Sequence, residues 1–210
     1  MATAGGEQQP GSGVERAKRA LRTRMRAQRR ARSAGDRASL DADLAAVVLE
    51  LPAVRWARCV AAYASLPAEP GTDLIREHLR LRGVEVLLPV VGDGLRLDWA
   101  RDDGVLAPSG HAGGGPEPTG ERLGEAALAR ADVVLVPALA VDTRARRLGQ
   151  GGGCYDRALT HVRADAAVLA LVHDDEVLDA EADPVPDQRH DRRVHGVLTP
   201  TRWMWLPGAR

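Results

Sequence analysis

Phenylalanine is absent from this sequence, and aromatic residues of every kind make up only 3% of it. Its core must therefore rest on leucine, valine and alanine. The chain has 210 residues, 44% of them hydrophobic, which is enough for a packed interior at this length. Lysine is nearly absent as well: Lys18 is the only one, and arginine supplies the remaining basic residues. Together with the many alanines, this reads as a coding bias and not as chemistry. Only Cys59 and Cys154 are present, without a CxxC spacing, which argues against a disulfide scaffold or a cysteine-rich zinc site. The formal net charge is +0, so no global field draws the protein to nucleic acid or a membrane. No apolar run approaches the ~20 residues that a membrane-spanning helix needs. The opening "MATAGGEQQPGSG" lacks the charged segment and apolar stretch of a secretory signal. Residues 1–13 read as a disordered tail and 14–210 as one α/β domain, with a cytoplasmic monomer as the expectation.

What is present is an alternation of element types. Apolar residues at Val14, Ala17, Leu21 and Met25 have helical spacing. The basic run over residues 16–37 has a bland reading, a solvated helix face. A second helix is expected from after Gly35 to about Leu51, where Pro52 stops it. "RCVAAYASL" reads as a short buried strand ending near Tyr63. "GTDLIREHLRLRG" reads as a helix that Thr72 can cap and Gly83 can close. "VEVLLPVV" and "GLRLDWA" follow as strands. Residues 103–119 are rich in Gly and Pro and read as loop, and 121–130 as a helical patch. "ADVVLVPALAVD" has the continuous apolar run of a parallel strand covered on both faces. "AAVLALVHD" and finally "GVLTP" complete the set. This order predicts a three-layer αβα fold with a mostly parallel central sheet, Rossmann-like, plus N-terminal helices.

The stretch "RRLGQGGGCYDRAL", residues 146–159, places Gly149, Gly151, Gly152 and Gly153 around Gln150. It lies between a buried strand and an apparent helix, "CYDRALTHV". Ligands of open α/β sheets collect at the carboxyl ends of the strands. Glycines there let backbone N–H groups approach an anion, and the following helix start adds positive potential. Arg146 and Arg147 stand at the entrance and can bind phosphate oxygens. Asp156 could hold Mg²⁺. The loop has no Gly-Lys-Ser/Thr ending, so it is not a Walker A loop. Three readings stay open on spacing alone: a phosphate cradle, a structural loop, and a reactive Cys154 at a helix start.

The segment "VPALAVDTRARRLGQGGGCYDRAL" resembles the signature of the 5-formyltetrahydrofolate cyclo-ligases, also called 5,10-methenyltetrahydrofolate synthetases. That signature is a strand with P-x-L-x-F/V-D, followed by x-R-L-G-x-G-x-G-Y-Y-D. The likeness extends to "AKRALRTRMRAQR", to "YASLPAEPGTDLIREHLRLRGVEVLLPVV", to "PEP" at Pro116 to Pro118, and to "LALVHDDEVL" with "RHDRRVHGVLTP". The resemblance implies ATP- and Mg²⁺-dependent conversion of 5-formyltetrahydrofolate to 5,10-methenyltetrahydrofolate, with release of ADP and phosphate. The formyl oxygen is a poor leaving group until it is phosphorylated. Phosphoryl transfer asks for positioning and charge neutralisation more than for a covalent nucleophile.

Carried onto this sequence, the resemblance places Lys18, Arg19, Arg22, Arg147, Leu148, Gly149, Gln150, Gly151, Gly152, Gly153, Cys154 and Tyr155 at ATP, with Arg147 as the catalytic group. It places Ala64, Glu69, Gln150, Gly151, Gly152, Gly153 and Cys154 at the folate, and Asp156 and Asp191 at Mg²⁺. Asp142 would orient the loop. The sequence departs from the pattern in five respects, one of them "ADPVP" in place of a more compact Leu-Pro turn. Cys154 stands where the first Tyr is usual, Gly152 where some members have Lys, and Ala145 where a turn Gly is usual. "HAGGG" offers no aromatic before "PEP". The missing aromatic and Cys154 favour the alternative, a non-catalytic nucleotide- or folate-binding protein on the same scaffold. An RNA-binding role of the basic helix is opposed by the neutral charge and the scarcity of aromatics for stacking.

Overall fold

The computed structural model describes residues 11–111 and 114–207, so the expectation of a disordered N-terminal tail lies outside the described residues, apart from 11–13. Residues 11–13 belong to the first helix, α1, which spans Gly11–Ala31. It is followed by α2 (Ala34–Glu50), the short α3 (Pro52–Arg55), β1 (Cys59–Ala61), α4 (Asp73–Leu81), β2 (Glu85–Val91) and β3 (Leu97–Arg101). A small hairpin, β4 (Leu106–Ala107) and β5 (Glu117–Pro118), leads to β6 (Val133–Pro137), β7 (Ala140–Asp142) and β8 (Arg147–Leu148). Then come α5 (Cys154–Ala158), β9 (Ala167–Leu171), β10 (Val177–Leu178), β11 (Gly196–Leu198) and β12 (Trp203–Trp205).

Among the described residues the main sheet has seven strands in the order β12-β11-β9-β6-β1-β2-β3. The five central strands are parallel, from β2 through β1, β6 and β9 to β11. The edge strands β3 and β12 are antiparallel to their neighbours. Alternate side chains face opposite layers, as the period-2 geometry of a strand requires. Val60, Ala62, Val133 and Leu135 meet Leu44 and Val48 of α2 and Ile75 and Leu79 of α4. Cys59, Ala61, Val134 and Val136 face Leu128, Ala158 and Leu159 on the other side. This is the mixed α/β architecture with a mostly parallel sheet that the sequence order implies. Its second helical layer is thin, made of α5 and 3₁₀ turns at Glu125–Arg130 and Leu159–His161.

Several local expectations change. The run "ADVVLVPALAVD" is two strands, because Pro137 has no N–H to extend the ladder. β6 stays in the main sheet, while β7 joins a three-stranded sheet, β10-β7-β8. The helical patch over 121–130 shrinks to the 3₁₀ turn, entered through Gly124 at φ 85°. Within the expected loop over 103–119, β4 and β5 pair. β12 follows the strand expected to be last. It is three residues long, and both its tryptophans remain exposed, so it carries no burial pattern to recognise. Ser33, not a residue after Gly35, starts α2, with a reciprocal capping box to Asp36. Thr72 precedes α4 but makes no side-chain cap; its hydroxyl donates to the Tyr63 carbonyl. Gly83 closes that helix at φ +75°, as expected.

The bland reading of the basic run does not hold. α1 lies over the small sheet, where Leu21 and Met25 pack on Leu139, Ala140, Leu148 and Leu178. Its polar side chains continue the docking. Arg29 is buried and donates to both oxygens of the fully buried Glu176 at 2.7 Å, and to the Ala138 carbonyl. His173 sits beside this pair, 3% exposed, and burial together with Arg32 and Arg29 pushes its pKa down to about 4. Its unfolded value lies near 6.5, so the unfolded chain binds more protons between these limits. The stability from neutral His173 is complete above about pH 6.5 and falls as pH drops toward about 4. Urea unfolding at several pH values should show this loss, and a shallower slope in His173→Gln. An unchanged slope in that variant would contradict the assignment.

Candidate active site

The parallel strands run outward in both directions from β1: the chain passes from β1 to β2 on one side and then returns to β6 on the other. The order reverses between β1 and β6, and such a reversal opens a crevice at the carboxyl ends of the strands. A cavity of about 180 Å³ opens there. Tyr63 and Ala64 line it from the end of β1, Pro137 from the end of β6, and Pro89, Val91 and Leu97 from β2 and β3. Its lining is mostly apolar. The glycine-rich loop forms another wall. Beyond the loop lies a second, more polar cavity of about 90 Å³, lined by Glu15, Lys18, Arg22, Gln188, His190 and Asp191. Arg147, Gly151, Gly153 and Asp156 line both cavities.

The loop is held from below and from the side. Asp142, fully buried at the end of β7, accepts from the N–H groups of Arg144 and Arg146 through Oδ1. Its Oδ2 accepts from Arg146 Nε at 2.6 Å and from the Val185 N–H. Asp142 thus organises the turn that delivers Arg147, the orienting role expected of it. Arg146 is turned toward this contact through Nε and lines neither cavity. Ala145 sits in the same turn at φ 65°, which explains why a glycine suits this position. From the side, α1 presents one basic residue per turn. Lys18 Nζ donates to Asp191 Oδ2 at 2.6 Å, Arg22 Nε to the Gly149 carbonyl at 3.0 Å, and Arg26 to the Gln150 carbonyl and side chain. Gly151 adopts φ +111°, a conformation that side-chain-bearing residues rarely reach.

Arg147 is buried between partners. Nη2 donates to Asp156 Oδ1 at 2.9 Å, and Nη1 to the Pro137 carbonyl at 3.3 Å. Its Nε is buried with no hydrogen-bond partner among the described residues. A buried donor left open costs about 1–3 kcal/mol, so this atom invites an acceptor. Tyr155 Oη is likewise buried and unpartnered among the described residues, and burial raises its pKa far above the usual phenol value, so it keeps its proton and can donate. Asp156 Oδ1 also accepts from the Arg192 N–H, which leaves Oδ2 open.

The residues singled out from sequence divide between the two cavities. Lys18, Arg22, Leu148 and Gly149 line the polar one with Asp191; Arg147, Gly151, Gly153 and Asp156 line both. Ala64, Glu69, Gln150, Gly152, Cys154 and Tyr155 line the apolar one. Gln150, Gly152 and Cys154, expected at both ATP and the folate, and Tyr155, expected at ATP, line the apolar cavity and not the polar one. Arg19 is exposed and lines neither cavity, because it falls off the stripe formed by residues 18, 22, 26 and 29. Sequence reasoning assigned no role to Glu117, which lines the apolar cavity, or to Arg157. Arg157 Nη2 donates to the carbonyls of Gly94, Leu95 and Gly152, tying the β2–β3 turn to the loop. The Pro-acid-Pro spacing was the available signal for Glu117; nothing local marks Arg157.

Replacing Arg22 and Arg26 together by Ala should leave the sheet intact and speed amide hydrogen exchange over residues 149–153 by about tenfold or more, since both hold loop carbonyls. Unchanged exchange there would mean that α1 does not restrain the loop.

The profile of the 5-formyltetrahydrofolate cyclo-ligase family matches residues 14–200. A 5-formyltetrahydrofolate cyclo-ligase from Mycolicibacterium smegmatis is 42% identical over 151 residues, covering 69% of this chain and 75% of its own. The protein of the same name from Escherichia coli K12 is 28% identical over 190 residues, covering 86% of this chain and 100% of its own. Among solved structures, a 5,10-methenyltetrahydrofolate synthetase from Aquifex aeolicus superposes with a TM-score of 0.76 at 24% identity, over 92% of this chain and 94% of that one. One from Mycoplasma pneumoniae gives 0.68 at 18% identity, over 87% and 98%. The fold agrees with these two, and the profile and the mycobacterial relative carry the assignment: the chain belongs to the 5-formyltetrahydrofolate cyclo-ligase family.

Proposed function

We propose that this protein converts 5-formyltetrahydrofolate to 5,10-methenyltetrahydrofolate with ATP and Mg²⁺, releasing ADP and phosphate, and that residues 14–210 act as one catalytic unit. The observation that carries the reading is the position of Arg147. It lines both cavities at once and has a buried N–H without a partner. A reaction that moves a phosphoryl group from one ligand to another needs a cation at the boundary between them.

The polar cavity suits the nucleotide phosphates. Arg22, Arg147 and Lys18 bring positive charge, and the backbone of Gly149, Gly151 and Gly153 permits close approach. The apolar cavity suits the pterin, whose N–H donors Glu69 would accept. Glu69 is held for this by the Leu66 N–H at 3.1 Å and by Gln150 Nε2 at 3.1 Å. Asp156 and Asp191 provide hard oxygen donors on the polar cavity, which fits a magnesium ion bound mainly through phosphates and water with one or two carboxylates. Each has one oxygen already taken by two donors, Asp156 Oδ1 by Arg147 and the Arg192 N–H and Asp191 Oδ2 by Lys18 and the Gln188 N–H, so the other oxygen of each would meet the metal. The metal would neutralise charge on the transferring phosphoryl group. Arg147, anchored by Asp156 and Pro137, would hold that group against the formyl oxygen without having to reorganise.

Purified protein mixed with 5-formyltetrahydrofolate, ATP and Mg²⁺ should develop the methenyl-folate chromophore. Arg147→Ala should lower kcat by about 10²–10³, the usual loss of a charge-stabilising donor, with the fold retained. Asp156→Ala should act in the same direction, because it frees Arg147 as well as a metal oxygen. Wild-type protein that binds nucleotide but forms no chromophore would instead establish the non-catalytic alternative. Normal turnover in both variants would mean that the site lies elsewhere.

A further inference from the structure

The two carboxylates on the apolar cavity outside the loop, Glu69 and Glu117, are committed to different degrees. Both oxygens of Glu69 accept hydrogen bonds, from Leu66 and from Gln150. Glu117 uses one oxygen twice: Oε1 accepts from the Val91 N–H at 3.1 Å and from Ser109 Oγ at 2.6 Å. No described residue donates to its Oε2. Two donors on one oxygen fix the direction of the carboxyl plane, and so of the oxygen left over. Glu117 lines a cavity walled by Pro89, Val91, Leu97 and Pro137. A carboxylate oxygen without a protein donor there is free to accept from a ligand.

Ring closure supplies such a ligand. Resting on the function proposed above, the first step puts a phosphoryl group on the formyl oxygen and leaves an electrophilic carbon between that oxygen and N5. The N10 lone pair then forms the new bond to this carbon, and N10 still carries its hydrogen. The hydrogen must leave as a proton before the C–O bond can break, with its electron pair going to phosphate and the N5–C–N10 amidinium remaining. The Arg147 wall faces the phosphoryl group, and Arg147 and Asp156 are paired with each other there. We propose that Glu117 Oε2 accepts the N10 proton during ring closure. The proton passes on to the departing phosphate or to water, and the carboxylate then faces the cationic product. The element that presents this group is the β4–β5 hairpin, whose Pro116 and Pro118 limit the backbone on either side of Glu117.

Rapid-quench kinetics on the full-length protein separate the two steps. In Glu117→Gln an amide oxygen can still accept from Val91 and Ser109, so the hairpin should remain folded. ADP should form in the first turnover at nearly the wild-type rate, while the methenyl chromophore should appear about 10² times more slowly or worse, as for loss of a general base. Glu117→Asp should recover part of the closure rate. Chromophore formation in Glu117→Gln within a few-fold of wild type would overturn the proposal. Equal slowing of ADP formation and closure would overturn it too, since that is what loss of substrate positioning gives. Should wild-type protein itself make no methenyl folate, the function assigned above fails first, and that result is distinct from either.

Discussion

The site depends on holding one guanidinium where a polar cavity meets an apolar one. Arg147 can do this because three segments converge on it. The end of β6 offers the Pro137 carbonyl, the start of α5 offers Asp156, and Asp142 shapes the turn that carries it in. A buried charge without partners would cost several kcal/mol, and these contacts offset that cost while leaving Nε open. The glycines around it follow from the same constraint. A Cβ on Gly149 would stand 2.9 Å from Arg147 Nη1, and Gly151 needs a positive φ. The loop is glycine-rich because an arginine and a ligand must both come close to its backbone.

The N-terminal helix makes this arrangement more than a local turn. Its apolar stripe packs on the small sheet, and its basic stripe touches the loop, Asp191 and Glu176 in succession. Lys18 and Arg22 on α1 and Arg147 on β8 therefore approach the polar cavity from two separate elements. Their positions are coupled through the buried Arg29–Glu176 pair, which is 3% and 0% exposed. Breaking one partner of such a pair typically costs about 3–5 kcal/mol, so the anchor is strong even where the outer turns of the helix are solvated.

Much of this was legible in the residues. Long buried strands such as "VVLVP" declare themselves by continuous apolar content, and the loop motif is specific enough to identify the family. Lys18 and Arg29 were less visible, because a basic residue that is buried by a distant acid looks the same in sequence as one in water. The division of the loop between two cavities was not visible either. Adjacent residues such as Gly149 and Gln150 line different cavities, and only the turn geometry decides which. Glu117 escaped for the opposite reason: its role depends on Val91 and Ser109, 26 and 8 residues away, taking one of its oxygens and leaving the other. The cysteine at 154 lies on the apolar wall, outside the polar cavity, so its chemistry is that of a small lining residue.

The central claim is that a phosphoryl group crosses the Arg147 wall onto the formyl oxygen. Substrate labelled with ¹⁸O in the formyl group tests this directly, by mass analysis of the phosphate released during turnover. The account expects one labelled oxygen in each phosphate released. Unlabelled phosphate accompanying methenyl-folate formation would contradict it.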